Sequence, residues 1–238
     1  MRSPVELLHT KFEIPNLTYQ IVRRNRLTSA LLQNGDKRVS LIVAPPGYGK
    51  TTLLCEWLSF FSTSEHRSVW LTLDLFDNSP VRFWSYVIGA LHKALPQFKF
   101  AHQNIHFLMS DSIDYAGLIP LINEIGKQPY YINLILDDFH QITDRPILDS
   151  LEFLFEHQPR NLHIIISSRT KPDLSLSKMR LSGRLVELTT KDLAFSKSEI
   201  DCYISNFEHL PLSGEQIVDL YQLTLGWPAG LQMAAIIL

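Results

Sequence analysis

Short apolar segments alternate with longer amphipathic ones along most of the chain. Runs of about four to eight branched and aromatic residues, bounded by polar residues, are typical of buried parallel strands. On this basis we predict five strands, at residues 39–44, 68–73, 131–137, 162–167 and 184–189. The segments between them have the spacing of helices, so the pattern predicts an α/β fold with a parallel sheet.

Only helical spacing remains in the last fifth of the chain. There, Ser196-Lys-Ser-Glu199 and Ser213-Gly-Glu-Gln216 have the form of capping boxes, which begin helices. We therefore expect a sheet domain over residues 1–193, with an N-terminal arm over 1–38, and a small helical subdomain over 194–238. The final residues are apolar and carry no helix-ending signal, which predicts that this subdomain continues in a longer protein.

One motif lies between the first predicted strand and the helix that follows it. Residues 44–51 read Ala-Pro-Pro-Gly-Tyr-Gly-Lys-Thr, which matches the phosphate-loop pattern G-x-x-x-x-G-K-[ST] except that alanine replaces the first glycine. Such a loop surrounds phosphate groups with backbone N–H groups at the N-terminus of a helix. The predicted nucleotide-binding residues of this loop are Pro46, Gly47, Tyr48, Gly49, Lys50, Thr51 and Thr52.

The residue types in this loop indicate separate roles. Gly47 and Gly49 can adopt backbone angles closed to residues with a Cβ atom, so that successive N–H groups turn towards the β-phosphate. Lys50 would bridge the β- and γ-phosphate oxygens. Thr51 would hold Mg²⁺ through its hydroxyl, and Thr52 would contact the α-phosphate. A glycine-rich turn with a chance lysine is the structural alternative, and the flanking strand and helix favour the nucleotide site.

Polar residues also end the third and fourth predicted strands. Asp137 and Asp138 follow an apolar run, which places them at the edge of the sheet where parallel strands carry ligand-binding groups. We assign Asp137 to the Mg²⁺ shell and Asp138 to orienting or deprotonating an attacking water. Arg169, after the fourth strand, would read the γ-phosphate, so Asp138 and Arg169 form the predicted catalytic pair. The alternatives are an Asp-rich turn and a solvated arginine.

Composition narrows the class of protein. The net charge of −2 argues against nucleic-acid binding by this segment alone, because phosphate backbones require a cationic surface. Two cysteines, Cys55 and Cys202, lie far apart without metal-site spacing, which favours a reduced, cytoplasmic setting. No apolar run approaches the roughly twenty residues that a membrane helix needs.

Together these motifs resemble the STAND class of P-loop ATPases, and within it the large ATP-binding regulators of the LuxR and maltose-regulon activator type. The resemblance extends from about Lys11 to the end of the chain. Besides the phosphate loop, its motifs are Leu-Asp-Asp-Phe-His-Gln-Ile at 136–142, Phe-Glu-His-Gln-Pro-Arg-Asn-Leu at 155–162, Ser-Ser-Arg at 167–169 and Asp-Leu-Ala-Phe at 192–195. The resemblance implies a five-stranded P-loop sheet of order 5-1-4-3-2.

The resemblance also implies adenine contacts at two places. Arg23, Arg24 and Asn25 stand where the family has a Gly-Arg-Glu core, so only the arginine is retained. Val22 and Arg24 are the resulting candidates for packing against the base. In the helical subdomain, Gly226-Trp-Pro228 matches a Gly-x-Pro motif whose proline lies on the bound nucleotide. A proline that merely begins a helix is the alternative for Pro228.

By this resemblance the chain is an ATP/ADP-binding, Mg²⁺-dependent switch of a transcriptional regulator. Slow hydrolysis would reset it, and the ATP state of the full-length protein would self-associate. Inducer and DNA would be bound by domains outside these residues. The open alternatives are a turnover ATPase of the AAA or motor type and a P-loop kinase, for which Arg180 or Arg184 would have to act as an arginine finger or lid residue.

Overall fold

The structure, a computed structural model, describes residues 6–17, 21–32, 37–61, 65–100, 115–205 and 212–237. Its strands are β1 Val39–Val43, β2 His66–Thr72, β3 Tyr131–Asp137, β4 Leu162–Ser168 and β5 Leu185–Leu188. They form one sheet in the order β2-β3-β4-β1-β5, and every neighbouring pair is parallel. The predicted order 5-1-4-3-2 is this order counted from the opposite edge, so it is confirmed.

Strand β2 begins two residues earlier than predicted. His66 and Arg67 are paired with Tyr131 and Ile132 of β3, although both are polar. β2 lies at an edge of the sheet, where polar side chains are tolerated because they reach solvent. The hydrophobic pattern therefore marked the buried part of the strand and missed its polar start.

The helices among the described residues are α1 Asn25–Leu32, α2 Lys50–Ser59, α3 Pro80–Ala94, α4 Ile119–Gly126, α5 Arg145–Glu156, α6 Ser177–Leu181, α7 Thr190–Leu193, α8 Lys197–Ser205, α9 Gly214–Thr224 and α10 Pro228–Ile237. Short 3₁₀ helices occur at His9–Phe12, Leu75–Asp77, Tyr115–Leu118 and Phe139–Gln141. In the described ranges, no helix is both long enough and apolar enough to cross a bilayer.

Both faces of the sheet are buried, and successive residues of each strand enter different cores. Leu134 and Leu136 of β3 pack with α3, α4 and α5, whereas Ile135 packs with α1 and α2. This two-sided burial explains why the strands are continuous apolar runs rather than alternating ones. Because β3, β4 and β1 are parallel neighbours, their carboxyl ends lie together at one edge of the sheet, beside the N-terminus of α2.

Helices α8, α9 and α10 pack around a cluster of their own. Its buried members are Val22, Phe195, Ile200, Ile204, Leu220, Leu231 and Ala235. Both predicted capping boxes are present: Ser196 and Glu199 exchange hydrogen bonds at the start of α8, and Ser213 and Gln216 do so at α9. Among the described residues, Val22 is the member of this cluster that comes from the N-terminal arm.

The N-terminal arm passes from one face of the sheet to the other around β2. On the α3 face, Phe12 enters the core, and the ammonium group of Lys11 lies against the carboxylates of Asp74 and Asp77. On the opposite face, the Cys55 thiol of α2 donates a hydrogen bond to Pro15 O at 3.4 Å. Burial raises the pKa of Cys55 to about 11, so the thiol keeps the proton it donates.

Candidate functional site

The loop over residues 44–49 joins β1 to α2 in the geometry of a phosphate cradle. Gly47 and Gly49 have φ of 81° and 71°, the left-handed region that the sequence motif requires. Helix α2 begins at Lys50 without a side-chain cap, so its first N–H groups are available to an anion. Ala44, which replaces the first glycine of the motif, is fully buried, and its N–H donates to Ser168 O of β4.

Lys50 lies folded over this loop. Its Nζ atom donates to Ala44 O at 2.7 Å and to Pro45 O at 3.1 Å. Burial lowers the pKa of Lys50, while the nearby charges of Asp137 and Asp138 oppose that change. A buried ammonium group whose hydrogen-bond partners among the described residues are two carbonyls favours an anion above it, because a phosphate would supply the charge that the carbonyls lack.

Thr51 and Asp137 form the pair that could hold a metal ion. The Thr51 hydroxyl donates to Asp137 Oδ2 at 2.9 Å, and Asp137 is 4% exposed. Burial raises the pKa of Asp137, an effect that hydrogen bonds to its carboxylate oppose. No cluster of three or more His, Cys, Asp or Glu that could bind a metal occurs in the described part of the chain. One carboxylate and one hydroxyl nevertheless fit Mg²⁺, which commonly uses one or two carboxylates together with substrate phosphates.

Asp138, Arg169 and His140 meet beside this pair. Asp138 has a left-handed backbone, with φ of 56°, and its N–H donates to Asp137 Oδ1 at 3.0 Å. Its Oδ1 atom lies 3.9 Å from Arg169 Nε and 3.6 Å from His140 Nδ1. Burial lowers the pKa of His140, and the charge of Arg169 lowers it further. The structure thus places Arg169 at the predicted edge of the sheet, where its partner is Asp138.

Arg24 is buried behind the phosphate loop. Its guanidinium donates to Leu193 O at 2.8 Å, to Gly49 O at 3.0 Å and to Tyr48 O at 3.5 Å. Its backbone N–H donates to Glu56 of α2 at 3.1 Å. Burial lowers the pKa of Arg24 to about 10. The guanidinium is therefore engaged with the backbone of the loop and of α7, and adenine contacts by Val22 and Arg24 stay a prediction.

Helix α10 begins against the other side of the loop. Trp227 Nε1 donates to Pro46 O at 3.3 Å, and Ala229 N donates to Gly47 O at 3.1 Å. Pro228, predicted to lie on the nucleotide, is the first residue of α10 between these two contacts. Its contact with the base stays a prediction.

Sequence reasoning missed the contacts of Trp227 and Ala229 with the loop. A partial signal was present in the sequence, because the small residues Gly226, Ala229 and Gly230 lie close to Trp227. A Cβ atom on Gly230 would lie 2.7 Å from the indole, and one on Gly47 would meet both the indole and Ala229 at 2.7 Å. Glycines at both places allow the ring to lie close to the loop.

Comparison with known proteins agrees with this fold. The chain is 32% identical, over 97% of its length, to the HTH-type transcriptional regulator MalT of Serratia proteamaculans and equally to that of Cronobacter sakazakii. It spans about a quarter of the length of these relatives. No protein-family model matches the chain.

Two solved structures resemble this fold over most of the chain. A Walker-type ATPase of Pyrococcus abyssi superimposes with a TM-score of 0.54 at 15% identity, covering 89% of this chain and 65% of the other. Cdc6p of Pyrobaculum aerophilum gives a TM-score of 0.50 at 14% identity, covering 84% of this chain and 53% of the other. The fold is that of the P-loop ATPases.

Proposed function

Since the chain is homologous to MalT and has a P-loop ATPase fold, we propose that it is the ATP- and ADP-binding switch module of a multidomain transcriptional regulator. Under this proposal the nucleotide controls self-association of the full-length protein, and slow hydrolysis returns it to the ADP state. The observation that carries the proposal is the arrangement of Lys50, Thr51 and Asp137 at one edge of the sheet.

The binding roles follow from these contacts. Phosphate oxygens would replace Ala44 O and Pro45 O as partners of Lys50. The ammonium group would then be paired with a negatively charged group instead of two neutral carbonyls. Mg²⁺ would be held by Thr51 and Asp137, and when bound it neutralises charge on the β- and γ-phosphates. The raised pKa of Asp137 favours such an ion, because a cation stabilises the carboxylate that burial destabilises.

A slow reaction is supported by the surroundings of Asp138. This carboxylate would orient the attacking water, yet it lies in reach of both Arg169 and His140. Arg169 would have to leave Asp138 to contact a γ-phosphate. The ion pair between them therefore competes with the catalytic arrangement, which suits a switch better than a fast enzyme.

The switch itself would act through the helices after β5. We propose a sheet domain over 1–193 and a helical subdomain over 194–238, in contact at the phosphate loop through Trp227 and Ala229. A nucleotide that rearranges the loop carbonyls would change the partners of α10. Inducer and DNA would be bound elsewhere in the longer protein, and a cytoplasmic location agrees with homology to a transcriptional regulator.

The test measures nucleotide identity, affinity and turnover. The purified chain is denatured, released nucleotide is identified by chromatography, and ATP and ADP affinities are measured for wild type, Lys50→Ala and Asp138→Asn. Lys50→Ala should weaken ATP and ADP binding by at least about tenfold, as expected for the loss of a charge-assisted hydrogen bond. Asp138→Asn should still bind ATP and ADP, because asparagine tolerates the left-handed backbone. Wild-type turnover should be slower than about one per second, and Asp138→Asn should abolish it.

Lys191→Ala is the matched control, since Lys191 is an exposed lysine on α7. It should leave both affinity and turnover unchanged. Equal affinity in wild type and Lys50→Ala would contradict nucleotide binding at this loop. Fast turnover that a second substrate stimulates would instead identify a turnover ATPase or a kinase.

A further inference from the structure

The hydroxyl group of Ser167, near the end of β4, is enclosed beside the candidate metal-binding pair. Ser167 is fully buried, and its Oγ atom has no hydrogen-bond partner of normal geometry among the described residues. Buried hydroxyls are normally paired, because an unpaired one loses the hydrogen bonds that water would give it. An unpaired hydroxyl next to a binding site therefore indicates a partner that it acquires when the site is occupied.

Strand register places Ser167 next to Asp137. Ile135 of β3 and Ile165 of β4 are paired, and both enter the core formed with α1 and α2. Side chains two positions apart in a strand share a face, so Asp137 and Ser167 also point towards α2. Helix α2 contributes Thr51, whose hydroxyl donates to Asp137. Ser167 and Thr51 thus approach the same carboxylate from different elements.

The Ser167 hydroxyl is close enough to act on this carboxylate. Burial raises the pKa of Asp137, and among the groups that oppose this effect the Ser167 hydroxyl is the strongest, followed by that of Thr51. A hydroxyl favours the ionised form of a carboxyl group when its O–H can turn towards it. The donor of Ser167 is therefore within reach of Asp137 without forming a normal hydrogen bond to it in the nucleotide-free protein.

Both carboxylate oxygens of Asp137 already accept hydrogen bonds. Oδ2 accepts from Thr51 at 2.9 Å, and Oδ1 accepts from the N–H of Asp138 at 3.0 Å. For Thr51 and Asp137 to hold Mg²⁺ together, both must direct lone pairs at the ion, so the direct contact between them has to loosen. A buried carboxylate that loses a donor is destabilised, and Ser167 can supply the replacement.

Resting on the proposed function, we propose that Ser167 is a positioning residue for Asp137. When Mg²⁺ and nucleotide bind, the Ser167 hydroxyl turns to donate to Asp137 and takes over from Thr51, whose oxygen is then available to the ion. Ser167 thereby fixes the angle of the carboxylate without contacting the nucleotide itself. In the nucleotide-free protein the same hydroxyl adds nothing to stability, because it has no partner there.

The test compares the Mg²⁺ dependence of ATP binding with the stability of the nucleotide-free protein. Ser167→Ala removes the hydroxyl and keeps the Cβ atom. ATP affinity, measured by calorimetry, should fall about tenfold in excess Mg²⁺, the effect of losing one hydrogen bond to a charged group, and should be unchanged in EDTA. The urea midpoint of the nucleotide-free variant should equal or exceed that of wild type, because no hydrogen bond is lost.

Ser168 provides the matched control. It is equally buried, but its side chain lies on the opposite face of β4 and its hydroxyl donates to Thr170 O. Ser168→Ala should therefore lower the urea midpoint and leave the Mg²⁺ dependence of ATP binding unchanged. Ser167→Thr, which keeps a hydroxyl on a residue suited to strands, should retain the Mg²⁺-dependent affinity that Ser167→Ala loses.

The proposal is overturned if Ser167→Ala has the wild-type ATP affinity in excess Mg²⁺, or if its affinity falls equally in EDTA. A lowered urea midpoint of Ser167→Ala would also overturn it, because the hydroxyl would then be paired in the nucleotide-free protein. A wild-type chain that binds no nucleotide would overturn the proposed function together with this proposal. If wild type binds ATP, the proposed function stands whatever Ser167→Ala does.

Discussion

Gly47 and Gly183 have similar backbones and different surroundings. Their φ values are 81° and 69°, both in the left-handed region. A Cβ atom at Gly183 would meet nothing within 4 Å, whereas one at Gly47 would collide with Ala229 and Trp227. The pair therefore separates the cost of backbone strain from the cost of displacing α10.

We predict that Gly183→Ala lowers the free energy of unfolding by about 1–2 kcal/mol, the cost of a left-handed alanine. Gly47→Ala should cost about 2–5 kcal/mol, because overpacking adds to the same strain. Urea unfolding monitored by circular dichroism measures both. Equal losses would show that α10 does not press on the phosphate loop.

Residue positions that depend on a local motif could be predicted from the sequence. Lys50 and Thr51 have the expected positions, because a strand, a tight turn and a helix determine them within a few residues. Asp137 is 86 positions from Thr51, and its place beside it follows from its position at the carboxyl end of a parallel strand. The partners of Arg24 could not be predicted, since Leu193 is 169 positions away in the chain. Nothing in a single sequence indicates that two such distant backbone and side-chain groups meet.

At the scale of elements, Arg24 connects the start of α1 with the phosphate loop and the end of α7. Arg24→Lys should lower the free energy of unfolding by about 2–4 kcal/mol, because one ammonium group cannot reach all three carbonyls and some stay buried without a donor. Arg23→Lys, at the exposed neighbouring position, should change it by less than about 0.5 kcal/mol. Chemical denaturation of both variants measures the difference, and similar losses would contradict this role.

The helices and strands were predicted where hydrophobic pattern and capping signals agree. Both capping boxes occur as written in the sequence, since each involves residues three apart. Strand ends were less predictable, as β2 illustrates, because pairing with β3 extends it through polar residues. Backbone pairing depends on the neighbouring strand, so the hydrophobic pattern of β2 alone does not show where the strand begins.

At the scale of the whole molecule, the three cores should differ in stability. Strands β3 and β4 are buried on both faces, whereas α9 and α10 rest on a small separate cluster. We predict that amides of α9 and α10 exchange with solvent through local opening at a free energy at least about 2 kcal/mol below that of β3 and β4. Hydrogen–deuterium exchange with mass spectrometry measures this.

Helix α5 is the internal comparison for that experiment. It has about the same length as α9 and α10 but packs on the sheet, so its amides should exchange as slowly as those of β3 and β4. If the amides of α5 exchange as fast as those of α9 and α10, the exchange rate depends on being in a helix and not on the core that the helix packs against. If all segments exchange together, the helices after β5 are no separate unit.

The passage of the N-terminal arm around β2 has a consequence for the solubility of the folding chain. β2 has an apolar centre, Val69-Trp-Leu71, and stands at the margin of the sheet, where unpaired backbone groups invite a strand from another molecule and lead to aggregates. The arm passes beside this margin and is attached on both faces of the sheet. Because the arm precedes β2 in the chain, it is synthesised before the strand whose exposed edge it lies beside.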